Sequence, residues 1–150
     1  MQFIGNIEAK ADSKGRIFIP AQFRKQLQEK AEEQVILTKN LFQPCLVLYP
    51  RSIWDMELKE LKGRLNKWNP KHQTILRQYV SDVELITIDN SGRILIPKRY
   101  LQSALIESEI RLIGLDDKIE IWAKEQTEQP FMEPKEFSTA LYQLMDNNNE

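Results

Sequence analysis

Arg16 and Arg93 stand in matching surroundings, each one residue after a glycine, within Asp12-Ser-Lys-Gly-Arg-Ile-Phe-Ile-Pro20 and Asp89-Asn-Ser-Gly-Arg-Ile-Leu-Ile-Pro97. The chemistry open to such cations is anion binding. Lysine and arginine neutralise phosphates with release of counterions, and arginine can also fork onto a guanine edge. Further cations crowd the first segment, Lys10, Lys14, Arg24 and Lys25 against Glu8 and Asp12, whereas Lys98 and Arg99 accompany Arg93 against Asp89. The first copy is therefore expected to be the more basic surface. Ser91 stands where Lys14 supplies a charge, and Leu101 where Arg24 does, so equal contact by the second copy is in doubt. Asp12 and Asp89 are assigned to turn geometry, because an acid facing phosphate would oppose binding. An internal Asp12–Arg16 pair, leaving the arginine structural, is the competing reading.

Other chemistry finds little support. The single histidine, His72, lies in a basic stretch with no cysteine or paired acid placed for a metal site or triad, and reads as a solvated helix residue. There is no P-loop or G-x-G-x-x-G, and Asp116-Asp117 reads as a turn between strands. Cys45, flanked by Leu46, Val47 and Leu48, reads as a buried thiol. No catalytic residue, metal, cofactor or small-molecule substrate is expected.

The elements that must position the arginines follow from a repeat. The two nine-residue segments lie 77 residues apart and share six of nine positions. The likeness continues downstream, where Val35-Ile36-Leu37 matches Leu112-Ile113-Gly114 and Leu46-Val47-Leu48-Tyr49 matches Ile119-Glu120-Ile121-Trp122. Each copy reads as strand, turn, strand, helix, strand, strand. Period-2 apolar spacing at Phe3, Gly5, Ile7, Ala9 and Ala11, and at Ile86 and Ile88, marks the leading strands. The turns are signalled by Asp12 with Gly15 and by Asp89 with Gly92, since Asp caps its own turn and Gly accepts positive φ. Pro20 and Pro97 then close a strand and suit a helix's first turn, predicting helices over 21–30 and 98–106.

The expected organisation is a first module over 3–50, a helical linker over 51–79, a second module over 80–124, and a C-terminal helix with an acidic tail over 125–150. The linker reads as two helices with a break at Pro70 and carries Lys59, Lys62, Arg64, Lys67, Lys71 and Arg77, either a phosphate-facing stripe or a solvated helix face. In the tail a helix is predicted over 134–144 and disorder over the last six residues. A ~50-residue module buries too little apolar surface to stand alone, so the copies should interleave. With 41% apolar residues the chain can build a core, and its 21 basic and 22 acidic residues confine any nucleic-acid contact to local patches. No apolar run approaches the ~20 residues needed to span a bilayer, and MQFIGNIEAK lacks the pattern of a leader, so a cytoplasmic location is expected.

At these residues the sequence resembles the MraZ family, whose members carry two SpoVT/AbrB-type swapped-hairpin modules, each with a D-x-x-G-R-x-x-x-P signature. The resemblance runs from Phe3-Ile4-Gly5 through Cys45-Leu-Val-Leu-Tyr-Pro50 and Trp54 to Ile121-Trp122. It implies a mainly β fold with helices (α+β), the tandem modules forming one pseudo-twofold swapped-hairpin, double-psi-like barrel. It also implies a regulator on double-stranded DNA that binds direct promoter repeats as a homo-oligomeric ring, represses its own division and cell-wall operon, and associates with the nucleoid. A non-catalytic, antitoxin-like interaction module is the alternative function.

Overall fold

The structure, a computed structural model, describes residues 2–30 and 33–146. The first repeat supplies β1 (Asn6–Lys10), β2 (Arg16–Phe18), α1 (Ala21–Glu29), β3 (Gln34–Lys39) and β4 (Leu46–Pro50). Two helices follow, α2 (Arg51–Arg64) and α3 (Pro70–Ser81). The second repeat supplies β5 (Glu84–Thr87), β6 (Arg93–Leu95), α4 (Lys98–Ser103), β7 (Glu109–Gly114) and β8 (Ile119–Ala123). A 3₁₀ turn at Lys124–Thr127 then leads to α5 (Pro134–Met145).

The strands form a six-stranded sheet in the order β1-β7-β8-β4-β3-β5 and a two-stranded ribbon of β2 with β6. Reading outward from the β8–β4 seam, each strand of one repeat meets its counterpart on the other side, which gives the sheet a pseudo-twofold axis. The repeats are swapped: β1 pairs β7 with Ile7 opposite Leu112, and β5 pairs β3 with Ile86 opposite Val35. At the seam Leu46 faces Ile121 and Leu48 faces Ile119. Neither copy closes a sheet of its own, so the apolar surface each leaves uncovered is buried by the other, as the small module size demands.

Val35, Leu37, Leu46, Leu48, Ile110, Leu112, Ile119 and Ile121 point to one face of the sheet, where they join Ile17 and Ile94 of the ribbon, Phe23 and Leu27 of α1, and Tyr100 of α4 in one cluster. A fully buried side chain of this kind contributes roughly 1.5–3 kcal/mol. Alternate residues Ile36, Val47 and Tyr49 point to the opposite face, against Trp54 of α2. Trp54 also stacks on Tyr79 of α3, with ring centroids 5.4 Å apart. Because β3 and β4 are covered on both faces, they read as continuous apolar runs instead of alternating ones.

Several helix boundaries differ from the sequence expectation. The starts of α1 and α4 at Ala21 and Lys98 are as expected, with Pro20 and Pro97 at the N-cap positions in extended backbone at ψ 140 and 145, but the ends differ. The first stops at Glu29, with Lys30 as its C-cap. The second stops at Ser103 because Leu105 takes a left-handed φ of 60, which turns Ile106 back so that its N–H donates to the Leu101 carbonyl at 2.9 Å. That closure puts Ile106 into the core. A left-handed cap is normally glycine, so a leucine there hides the stop from sequence inspection. The break expected at Pro70 does separate two linker helices, and Pro70 opens the second, α3, with Asn69 capping it through bonds from the N–H groups of Lys71 and His72. His72 is more than a solvated helix residue, since its Nδ1 accepts the Asn66 N–H at 2.8 Å and ties the connection between α2 and α3. The tail helix runs one residue past the expected end, through Met145. Of the six terminal residues expected to be disordered, Met145 closes α5 and Asp146 is its C-cap, while 147–150 lie outside the described residues.

Cys45 is buried, and burial together with the nearby Glu120 pushes its thiol up to about 12. Asp116 and Asp117 sit in the turn between β7 and β8, with Phe3 bridging Asp116 through two backbone bonds.

Candidate nucleic-acid interface

In a strand, successive side chains alternate faces. Ile17 and Ile94 are each 1% exposed, so they fix the inner face of the ribbon and send Arg16, Phe18, Arg93 and Leu95 outward. Arg16 pairs across with Leu95 and Phe18 with Arg93. Two arginines distant in sequence thus share one face, two rungs apart, or about 7 Å along the ribbon.

Each arginine is held by the aspartate four residues before it. Asp12 Oδ1 accepts the backbone N–H groups of Lys14 and Arg16, both at 2.9 Å, while Oδ2 accepts Arg16 Nε at 2.8 Å. Asp89 does the same for Ser91 at 2.8 Å, the Arg93 N–H at 2.9 Å and Arg93 Nε at 3.0 Å. Each turn is closed by a backbone bond from the glycine N–H to the aspartate carbonyl, Gly15 to Asp12 and Gly92 to Asp89. The backbone N–H of Arg16, with smaller help from its side chain and the N–H of Lys14, lowers the Asp12 carboxyl to about 2. Asp89 is lowered chiefly by the N–H of Arg93. The internal pair weighed as an alternative does form, but it uses Nε. Among the described residues no hydrogen-bond partner takes the terminal guanidinium nitrogens of Arg16 or Arg93, and an arginine braced through Nε can still present them outward.

The swap rearranges the remaining cations. The Ile19 N–H donates to the Gly92 carbonyl and the Ile96 N–H to the Gly15 carbonyl, so each turn nests against the opposite repeat. Arg24 consequently lies on the second turn, where a Cβ at Gly92 would come within 2.6 Å of its side chain, and its Nη1 donates to the Ile19 carbonyl at 3.1 Å. This corrects the grouping of Arg24 with the first turn. Leu101 packs on Gly15 in the corresponding place. Lys14 stays exposed in the first turn, and Lys98 is exposed at the start of α4, the helix that carries Leu101 to that turn. Lys25 is exposed on α1. Lys10 is exposed at the end of β1 with Glu109 opposite it in register.

Arg99 is placed differently from the rest. Its Nε lies 3.1 Å from Asp82 and its Nη2 2.6 Å from Glu84, and the guanidinium sits 4.6 Å from the centroid of the Tyr100 ring. Those two carboxylates raise its pKa further, and its charge is compensated inside the fold. Of the linker cations, Lys59, Lys62 and Arg64 ride on α2, Lys71 and Arg77 on α3, and Lys67 lies in the connection between them. Since α2 packs on the face of the sheet opposite to the ribbon, one duplex lying on the ribbon does not meet them, which favours their reading as a solvated face. The sequence reading did not place Phe18 and Leu95 on this face, although the alternation itself marks them: a residue between two buried isoleucines must share the arginine's face.

No group of three or more histidine, cysteine, aspartate or glutamate side chains suited to a metal ion occurs among the described residues. Nor is any described helix long and apolar enough to cross a membrane.

Fold and site define a class of protein with two tandem swapped-hairpin repeats that display paired arginines on a short β ribbon. The profile of the family described as “MraZ protein, putative antitoxin-like” matches residues 2–78 and 81–147, one segment for each repeat. The transcriptional regulator MraZ of Bacteroides thetaiotaomicron is 62% identical over 149 residues, covering 99% of this chain and 96% of that protein. That of Bacteroides fragilis is 63% identical over 145 residues, covering 97% and 92%. The Phocaeicola vulgatus protein of the same name is 55% identical over 149 residues, covering 99% and 97%. The chain belongs to the MraZ family of transcriptional regulators.

Proposed function

We propose that this chain is a sequence-specific, DNA-binding transcriptional regulator whose β2–β6 ribbon docks on promoter DNA. The observation that carries the reading is the pair of arginines, one from each repeat, braced by identical aspartate cages on one outward face. Bracing matters because a cation held in place loses little side-chain entropy when it meets a phosphate or a guanine. Arg16, Arg93, Lys14 and Lys98 are the leading contacts. Lys10 ends β1 opposite Glu109, Lys25 stands on α1, Arg24 is engaged by the Ile19 carbonyl, and Arg99 is the least available.

One protomer offers few free cations and the net charge is −1, so a single site holds DNA weakly at physiological salt. A homo-oligomeric ring repeats the patch, and once one site is engaged the others bind intramolecularly, with avidity gains of roughly 10²–10⁴. Head-to-tail closure presents every patch in the same sense and therefore suits direct repeats. In this reading the protein acts in the cytoplasm on the nucleoid and represses its own division and cell-wall operon. The family description and the near-neutral charge favour a second reading, an antitoxin-like interaction module.

A shift assay on the DNA upstream of the protein's own coding sequence, titrated with salt, separates the two. Contact through several phosphates weakens steeply as salt rises, whereas an apolar protein interface changes little. Light scattering is expected to find a species several times 17.7 kDa. Altering one of two adjacent DNA repeats should weaken binding far more than losing half the sites would.

A further inference from the structure

Between the two arginines the ribbon exposes two large apolar side chains, Phe18 at 56% and Leu95 at 54%. Their immediate neighbours Ile17, Ile19, Ile94 and Ile96 are all fully buried, so the exposure is imposed by strand alternation on a firmly anchored backbone. The Arg93 guanidinium lies 5.7 Å from the centroid of the Phe18 ring, close enough for a cation–π contact that holds the ring beside the charge. Arg16 has Leu95 as its rung partner. Each arginine is therefore coupled to an apolar group contributed by the other repeat.

We propose that Phe18 and Leu95 are specificity-determining residues that contact the 5-methyl groups of thymines next to the positions taken by Arg93 and Arg16. The inference rests on the DNA-binding reading of the ribbon. A two-stranded ribbon fits the major groove, and there the thymine methyl is the apolar feature of a base edge that such side chains can bury against. Phosphates offer them nothing. A second copy of the chain docked by the same face would set Arg16 and Arg93 against their own duplicates, so charge argues against that occupant and for a polyanion. The pairing also has a direction: the phenyl ring and the isobutyl group differ in size, so the two pseudo-symmetric halves of the ribbon favour different steps, and the protein lies on its site in one orientation.

The test uses the full-length chain and short duplexes selected from a randomised pool, each made once with thymine and once with deoxyuridine, which removes only the methyl group. The unaltered protein is expected to prefer the thymine form by about fourfold for each methyl contacted, the value of burying one methyl-sized apolar group. Phe18→Ala should lower affinity for the thymine form more than for the uracil form, and so bring that ratio toward one, with the salt dependence unchanged. Leu95→Ala should do so by less and at different base positions. Phe18→Leu should keep part of the preference. Arg93→Ala, in contrast, should weaken both forms and flatten the salt dependence. A thymine-to-uracil ratio that Phe18→Ala and Leu95→Ala both leave untouched would overturn the proposal, as would a fall in solution mass on Phe18→Ala, which would make the patch a contact between copies. If the unaltered protein selects no duplex at all, it is the DNA-binding reading that fails.

Discussion

In the first turn Asp12 gathers the N–H groups of Lys14 and Arg16 and the Nε of Arg16, and in the second Asp89 gathers those of Ser91 and Arg93 in the same pattern. Around these matching cages almost everything differs. Lys14 is replaced by Ser91, Phe18 by Leu95, and the side chain lying on the glycine is Leu101 at the first turn but Arg24 at the second. Bonds that a turn makes with itself admit few alternatives, because one carboxylate must reach three donors at once. Positions that face outward, or that touch the opposite repeat, are free of that demand. The cages thus act as two equal mounts, and the side chains around them make one mount different from the other.

The largest effect should come from removing what the two turns share. The Arg16→Ala, Arg93→Ala double variant is expected to stay folded and to lose on the order of a hundredfold to a thousandfold in operator affinity, the value of two good arginine contacts. Of the single variants Arg16→Ala should lose more, because Lys14 extends its patch while Arg24 near the second turn is tied to the Ile19 carbonyl. Equal losses in anisotropy titrations would mean that the cages alone set the contact. An Arg16→Ala variant that binds like the parent would remove the arginine from the interface.

Next in size is a difference in stability between two glycines of nearly equal conformation, φ +88 at Gly15 and +84 at Gly92. A Cβ at Gly15 would sit 2.6 Å from the backbone oxygen of Ile96, which cannot step aside; one at Gly92 would meet the Arg24 side chain at the same distance, and a side chain can swing away. Gly15→Ala is therefore expected to cost about 3 kcal/mol or more and Gly92→Ala about 1–2 kcal/mol by chemical denaturation. Adding Arg24→Ala should make Gly92→Ala cheaper and leave Gly15→Ala as it was. The opposite ranking would mean that the nesting of each turn on the other repeat is misplaced.

A smaller exchange sharpens the electrostatic side of the comparison. Lys14→Ser should reduce the slope of log affinity against log salt by about one, and Ser91→Lys should raise it by about one. If neither variant moves the slope, the turns do not face phosphate.

Smallest is the acid response. Asp12 is lowered from 3.8 to about 2 in the folded chain, chiefly by the Arg16 N–H. The folded state therefore binds protons less readily than the unfolded one, and the stability this contributes is fully present above about pH 4 and is lost as pH falls toward 2. Thermal midpoints of the parent should decline across that window, and Asp12→Asn should flatten part of the decline. Asp89, lowered in the same direction, should give Asp89→Asn a similar flattening. A decline unchanged in both variants would place the acid sensitivity elsewhere, Asp82 between Lys39 and Arg99 being the next group to test.

Much of this molecule is written in short-range terms, and those terms are present in the sequence. The Asp-x-x-Gly-Arg turns, the period-2 strands around them and the order of elements depend on hydrogen bonds spanning at most four residues and on alternation along one strand, so they could be read before any partner strand was known. The doubling of the motif gave the tandem-repeat fold in the same way. What the sequence could not determine is which residues meet across the swap. Arg24 follows the first turn in the chain yet lies on the second, because β2 pairs with β6 to bury Ile17 against Ile94 and carries α1 with it. The same pairing turns two arginines 77 residues apart into one face, and sets the basic linker helices on the far side of the sheet. Leu105 stops α4 in a conformation its side chain disfavours because bringing Ile106 into the core repays the strain. In each case the deciding quantity is apolar surface removed from water by a partner far away in the chain, which only the assembled tertiary structure can specify.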